Sequence, residues 1–199
     1  HTLGVFAATD EVTNLVLPGV DGSASASFAL QTTASVLRYK ADLGERSSLG
    51  TMVTARDGGG YHNRVLSVDG LWRPGAADSL SVNLAVSATR YADEMVAALG
   101  APDEASEDRA LRVSYGHSER DWNASAVYRD LGDDFRADLG FVTRVGFREL
   151  EVGAERIWFG DQGGPFTRLE LGGNVSLTEE QDGDLLENEA EAWLSYRGP

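Results

Sequence analysis

From about residue 34 onward, apolar and polar residues alternate along the chain in segments of roughly ten residues, separated by turn-forming clusters. Leu80 to Thr89 shows the pattern most plainly: Leu80, Val82, Leu84, Val86 and Ala88 fall on one face, and Ser81, Asn83, Ala85, Ser87 and Thr89 on the other. Leu111, Val113 and Tyr115 alternate with Arg112, Ser114 and Gly116. Trp122, Ala124, Ala126 and Tyr128 then oppose Asn123, Ser125 and Arg129, and the three-residue link 119–121 between these segments suits a hairpin. The same period runs through Ser35–Leu43, Leu49–Arg56, Arg64–Trp72, Phe147–Phe159, Thr167–Leu177 and Asn188–Tyr196, with a weaker strand at Thr2–Ala8. This predicts about ten strands. Helix-like composition is confined to Ala92–Gly100, inside a connection.

The connections alternate in length. Those at 44–47, 74–79 and 119–121 are short, whereas 9–33, 91–109 and 130–144 are long. Short turns on one side and long loops on the other are the signature of an up-and-down transmembrane β-barrel. Two modest connections, 57–62 and 160–164, fall by the same count on the long side.

The composition of the two faces points the same way. The apolar faces are mostly Leu, Val and Ala. Trp72, Tyr115, Trp122, Tyr128, Trp158 and Tyr196 lie towards strand ends, where interfacial aromatic girdles sit. The opposite faces carry charge of both signs at mid-strand: Arg38, Lys40, Asp69, Arg112, Arg129, Glu149, Glu151, Arg168, Glu170, Glu189 and Glu191. Such groups stay solvated and pair across a wet lumen, which avoids the cost of an isolated buried charge. Arg148 and Arg156 flank Leu150, Val152 and Ala154 on an apolar face, about 26 Å apart along a strand, so both heads can snorkel to the interfaces of a bilayer. A soluble antiparallel sheet with one charged face fits the alternation too.

Composition removes several classes of function. The 199 residues hold 17 Lys and Arg against 32 Asp and Glu, a net charge of -15, with no basic run to neutralise phosphates, so nucleic acid is not an expected partner. Without Cys there is no disulfide, thiolate catalysis or Cys-based metal site. No 18-residue apolar run exists, a test that tilted, alternating strands escape. Catalysis has little support: His1, His62 and His117 are scattered, and the nearest-neighbour carboxylates Glu149/Glu151 and Glu189/Glu191 have glycosidase-like spacing only because acids are plentiful. The acidic stretches 103–108 and 179–184 lack EF-hand spacing and read as solvated loops, and Asp57-Gly58-Gly59-Gly60 lacks the Lys-Ser/Thr of a phosphate loop. No cofactor or metal is expected.

The stretch 128–144 adds a resemblance. Asp134, Phe135, Leu139, Gly140, Phe141, Val142 and Arg144 match a strand–loop–strand motif of bacterial outer-membrane β-barrel proteins whose N-terminal domain is similar to carbohydrate-binding module family 9; Arg136 and Ala137 stand where that family has Asn-Pro. The hairpin around Arg38–Gly50, the segment Asn63–Asp69 and Asp121-Trp122-Asn123 resemble further parts of it. The resemblance implies an all-β, antiparallel up-and-down transmembrane barrel, with these residues one segment of a larger barrel incomplete at both ends. It also implies a Gram-negative outer-membrane location, a lipid bilayer as partner, and a non-enzymatic role in binding or uptake of a carbohydrate-related solute. Two other readings stand beside it: a soluble all-β carbohydrate-binding or carbohydrate-active domain, and a structural subunit that meets other envelope proteins.

Overall fold

The computed structural model describes residues 1–199. Ten antiparallel strands form one sheet in the order β1 (Thr2–Asp10), β4 (Thr32–Leu43), β5 (Ser47–Gly58), β6 (Tyr61–Trp72), β7 (Asp78–Arg90), β8 (Ser106–Ser118), β9 (Trp122–Leu131), β10 (Phe147–Phe159), β11 (Arg168–Glu180) and β12 (Leu185–Arg197). All ten segments expected from the alternation are strands of this sheet, most of them longer than the pattern alone suggested. The barrel itself is not formed: β1 and β12 are the two ends of an open sheet, each with one unpaired edge.

Two expectations about the connections are corrected. The stretch expected as a long loop at 9–33 contains a hairpin, β2 (Thr13–Pro18) and β3 (Ser23–Phe28), which pairs with itself and not with the main sheet. The connection 160–164 lies at the short-turn end, because β10 starts at the long-loop end and finishes there; an eight-residue link, 160–167, returns to β11. The connection 57–62 is on the long side as expected, but shrinks to a two-residue turn at Gly59-Gly60. The helix-like stretch is a short helix, α1 (Asp93–Leu99), stopped by Gly100 at φ 67°, whose N–H returns to the Val96 carbonyl.

Register sorts the side chains onto two faces of different chemistry. On one, Leu3, Leu37, Leu66, Leu84, Leu150, Val152, Val175 and Leu194 stand uncovered, from 43 to 68% exposed. On the other, small and polar side chains such as Thr54, Asn63, Ser67, Ser87 and Thr89 are buried. They are buried because β2–β3, α1 and the loop 132–146 all fold back over that face at the long-loop end. We call the two faces bare and covered.

The covering elements supply the apolar clusters. Leu15 and Phe28 of the hairpin and Met95 of α1 pack on Tyr61, Tyr91 and Ala101. Phe135 and Val145 of the loop pack on Val65 and Ala85 of the sheet. Arg56 pins the hairpin: its guanidinium donates to Thr32 Oγ1 at 3.1 Å and the Asn14 carbonyl at 3.1 Å, and pairs with Asp10 at 3.3 Å. Those partners satisfy a cation that is 5% exposed and would otherwise be costly to bury.

Candidate functional site on the covered face

All eleven charged positions expected on one face do share it. Pairing carries a single transverse row from Thr2 through Lys40, Gly50, Asp69, Asn83, Arg112, Arg129, Glu149 and Thr178 to Glu187, across all ten strands. Arg38, Glu151, Arg168, Glu170, Glu189 and Glu191 occupy parallel rows on the same face.

The charges are segregated along the sheet. From β4 to β9 this face carries Arg38, Lys40, Arg56, Arg112 and Arg129 against Asp42, Asp69 and Asp108, whereas β10 to β12 carry Glu149, Glu151, Glu155, Glu170, Glu180, Glu187, Glu189 and Glu191 against Arg168 and Arg197. Besides Arg56–Asp10, three ion-paired groups tie separate elements together on this face. Arg38 on β4 reaches over β5 to grip Asp69 on β6 with both nitrogens, the second bond being 2.8 Å. Gly50 lies beneath that crossing, and a Cβ there would overlap the guanidinium. Arg129 joins Glu149 and stands 4.0 Å from Glu151; Arg144 of the loop pairs with Glu187 at 2.8 Å. Arg168 and Glu170 pair along one strand. Lys40, Arg112, Glu189 and Glu191 form no ion pair.

Two cavities open on this face. One, of about 510 Å³, is lined by Arg38, Lys40, Asp69, Asn83, Arg112 and several serines. The other, of about 360 Å³, lies over β9 to β12 around Trp193, Glu155, Asn123 and Asn174. There the Trp193 indole lies over Gly172, where a Cβ would overlap the ring. Its N–H donates to Glu155 Oε1 at 3.1 Å, and the Asn123 amide donates to the other oxygen at 3.0 Å. The Asn174 Oδ1 is buried without a partner.

The motif loop closes the long-loop end. Asn63 holds its backbone from both sides, donating to the Arg136 carbonyl and accepting from the Asp138 N–H, each at 3.0 Å. Ser87 Oγ accepts the Arg136 N–H at 3.1 Å. The Tyr61 and Tyr91 hydroxyls donate to the two Asp138 oxygens at 2.7 and 3.4 Å. Burial holds the Asp138 carboxyl above the usual carboxylate range, opposed by the Tyr61 hydrogen bond and the nearby Arg136 charge, and burial likewise raises the Tyr91 phenol. Of the motif residues, Phe135 is buried, Leu139 and Val142 are half-buried, Arg144 bonds the Val20 carbonyl at 2.8 Å, Gly140 closes a turn onto the Ala137 carbonyl at 2.7 Å, and Asp134 is exposed. Phe141 points away and is 86% exposed. Sequence reasoning missed Tyr61 and Tyr91, and marked Asn63 and the stretch holding Asp138 only as parts of the resemblance; the partners of all four lie 47 to 77 residues distant.

Trp72, Tyr115, Trp122, Trp158 and Tyr196 all sit on the bare face near the short-turn end, while Tyr128 lies nearer the long-loop end, so these aromatics gather at one end of the strands. Arg148 turns to the Gln181 carbonyl at 2.7 Å and Arg156 to Asp121 at 2.9 Å, each head leaving the apolar band towards the nearer end. His117 belongs to this face, bonded to Asp78 at 2.9 Å and stacked 4.1 Å from Trp122; it does not adjoin the cavities. No three His, Asp or Glu side chains converge as a metal site. No protein-family model, curated protein or solved structure matches the chain.

Proposed function

We propose that these strands are part of the wall of a transmembrane β-barrel in a Gram-negative outer membrane, with lipid on the bare face and a charged, water-filled lumen on the covered face. The observation that carries this reading is the bare face itself: large apolar side chains uncovered on every strand of a ten-stranded sheet, far beyond the few hundred Å² that soluble monomers expose.

The slant of the sheet supports it. The transverse row lies three positions from the short-turn end of β4, Lys40 against Leu43, and ten from that end of β11, Thr178 against Arg168. That shift of seven positions over seven strand steps is about 23 Å along the strands against about 34 Å across them, a slant near 35°, at the lower edge of the ~35–45° of membrane barrels. The unpaired edges of β1 and β12 cannot face hydrocarbon. In the bilayer they pair with further strands, in keeping with a segment of a larger barrel like the outer-membrane family that the 128–144 motif resembles.

On this reading the hairpin β2–β3, α1 and the loop 132–146 narrow the long-loop mouth, and the role is passage or binding of a polar solute without catalysis. Trp193 supports a carbohydrate-related solute: a flat indole face, fixed from below and ringed by carboxylates and amides, suits a sugar ring. The test is purification with and without detergent, followed by folding into lipid vesicles. The expected result is aggregation in buffer and a folded, heat-resistant species in vesicles. A chain that is folded and monodisperse without detergent overturns the membrane reading.

A further inference from the structure

Arg112 on β8 and Arg129 on β9 are direct cross-strand partners on the covered face. Like charges in that relationship destabilise a sheet. Arg129 is relieved by Glu149 and Glu151, but Arg112 has no carboxylate within 4 Å. It projects from a row in which its other neighbour is the neutral Asn83, and it lines the cavity of about 510 Å³. The one acid lining that cavity, Asp69, is held on both oxygens by Arg38. Lys40, at the β4 end, is also without a carboxylate partner. A chain of net charge -15 thus keeps an uncompensated positive cavity on its polar face, next to hydroxyls at Ser67 and Ser81.

We infer that this cavity is a subsite for an oxyanion, a carboxylate or phosphate carried on a hydroxylated solute. Arg112 makes the direct, bidentate contact, Asn83 and the Ser81–Ser114 pair offer hydrogen bonds beside it, and Lys40 supplies potential from about four strands away. The anion resolves the Arg112–Arg129 repulsion, which gives the site a reason to be built. The inference goes beyond the membrane reading and concerns the covered face alone, so it stands whether lipid or water meets the other side.

The test is calorimetric titration of the folded chain with inorganic phosphate, glucuronate and glucose at low and high salt, in detergent, or in buffer if the chain proves soluble there. Binding of phosphate, glucuronate or both, weakened at least tenfold by Arg112→Gln and by high salt, two- to threefold by Lys40→Gln, and partly restored by Arg112→Lys, is the expected result. Phosphate alone indicates a phosphate-bearing ligand and glucuronate alone a carboxylated one. The bare-face variant Arg156→Gln should leave binding unchanged. Thermal melts report whether each variant is folded. Glucose binding as well as glucuronate, no binding of either anion by folded protein, or binding untouched in folded Arg112→Gln overturns the inference.

Discussion

The Tyr61 hydroxyl donates to Asp138 at 2.7 Å, joining the first residue of β6 to the middle of a loop 77 residues later. That bond holds a carboxylate in a place that burial makes unfavourable for its charged form. Replacing Tyr61 with Phe leaves Asp138 with the longer Tyr91 bond alone. The expected cost is about 1–3 kcal/mol of loop docking, read as faster hydrogen exchange and proteolysis confined to residues 132–146.

The same carboxyl sets a pH dependence. Because its folded value lies above the unfolded one, the folded state takes up the proton first as the pH falls. Docking of the loop should therefore strengthen from the raised folded value down to about pH 4, where the unfolded carboxyl also titrates, and be flat above that window. Asp138→Asn should abolish the slope. Loop exchange measured between pH 4 and 8 checks this; a slope that survives in Asp138→Asn assigns it to another group.

Within one motif, two phenylalanines should behave oppositely. Phe135→Ala opens a cavity against Val65, Ala85 and Val145 and should cost about 3 kcal/mol or more, unless the loop releases first. Phe141→Ala, at an exposed position, should stay within about 0.5 kcal/mol. Urea unfolding of both variants makes the comparison.

Gly50→Val places a side chain where the Arg38 guanidinium crosses β5. It should break the Arg38–Asp69 pair and destabilise the sheet by about 1–3 kcal/mol, with Asp69→Asn showing a smaller loss of the same kind. Gly70→Ala, which meets only ordinary contacts near Leu49, should be close to neutral. If Gly50→Val melts with the parent protein, the crossing contributes nothing.

On the proposed lipid face, Val152→Arg should cost about 2–4 kcal/mol in vesicle-folded protein, whereas Ser176→Arg on the opposite face of the neighbouring strand should cost little. Equal effects at the two positions argue against a bilayer on the bare side.

The ten strands and their two faces were legible because alternation at period two is local: each of Leu80 to Thr89 declares its side through its immediate neighbours. The charged row was legible for the same reason. What was not legible depends on distance along the chain. The hairpin β2–β3 is short and pairs only with itself, and Arg56 and Asn63 are interior because elements 24 to 75 residues away cover them. The motif at 134–144 marked the right loop, but its spacing said nothing about Phe135 turning in and Phe141 turning out. The 160–164 connection was misplaced because an eight-residue link looks the same from either end of a strand.

The loop 132–146 also has a mechanical role. Its ends are rooted in β9 and β10, its middle is fastened to β6 and β7 through Asn63 and Ser87, and Arg144 ties it to Val20 beyond β2 and to Glu187 on β12. It therefore works as a cross-brace over seven strands. The sheet cannot flatten or curl further there without breaking those ties, so whatever loosens the brace changes the curvature of the sheet as well as the cover over one of its faces.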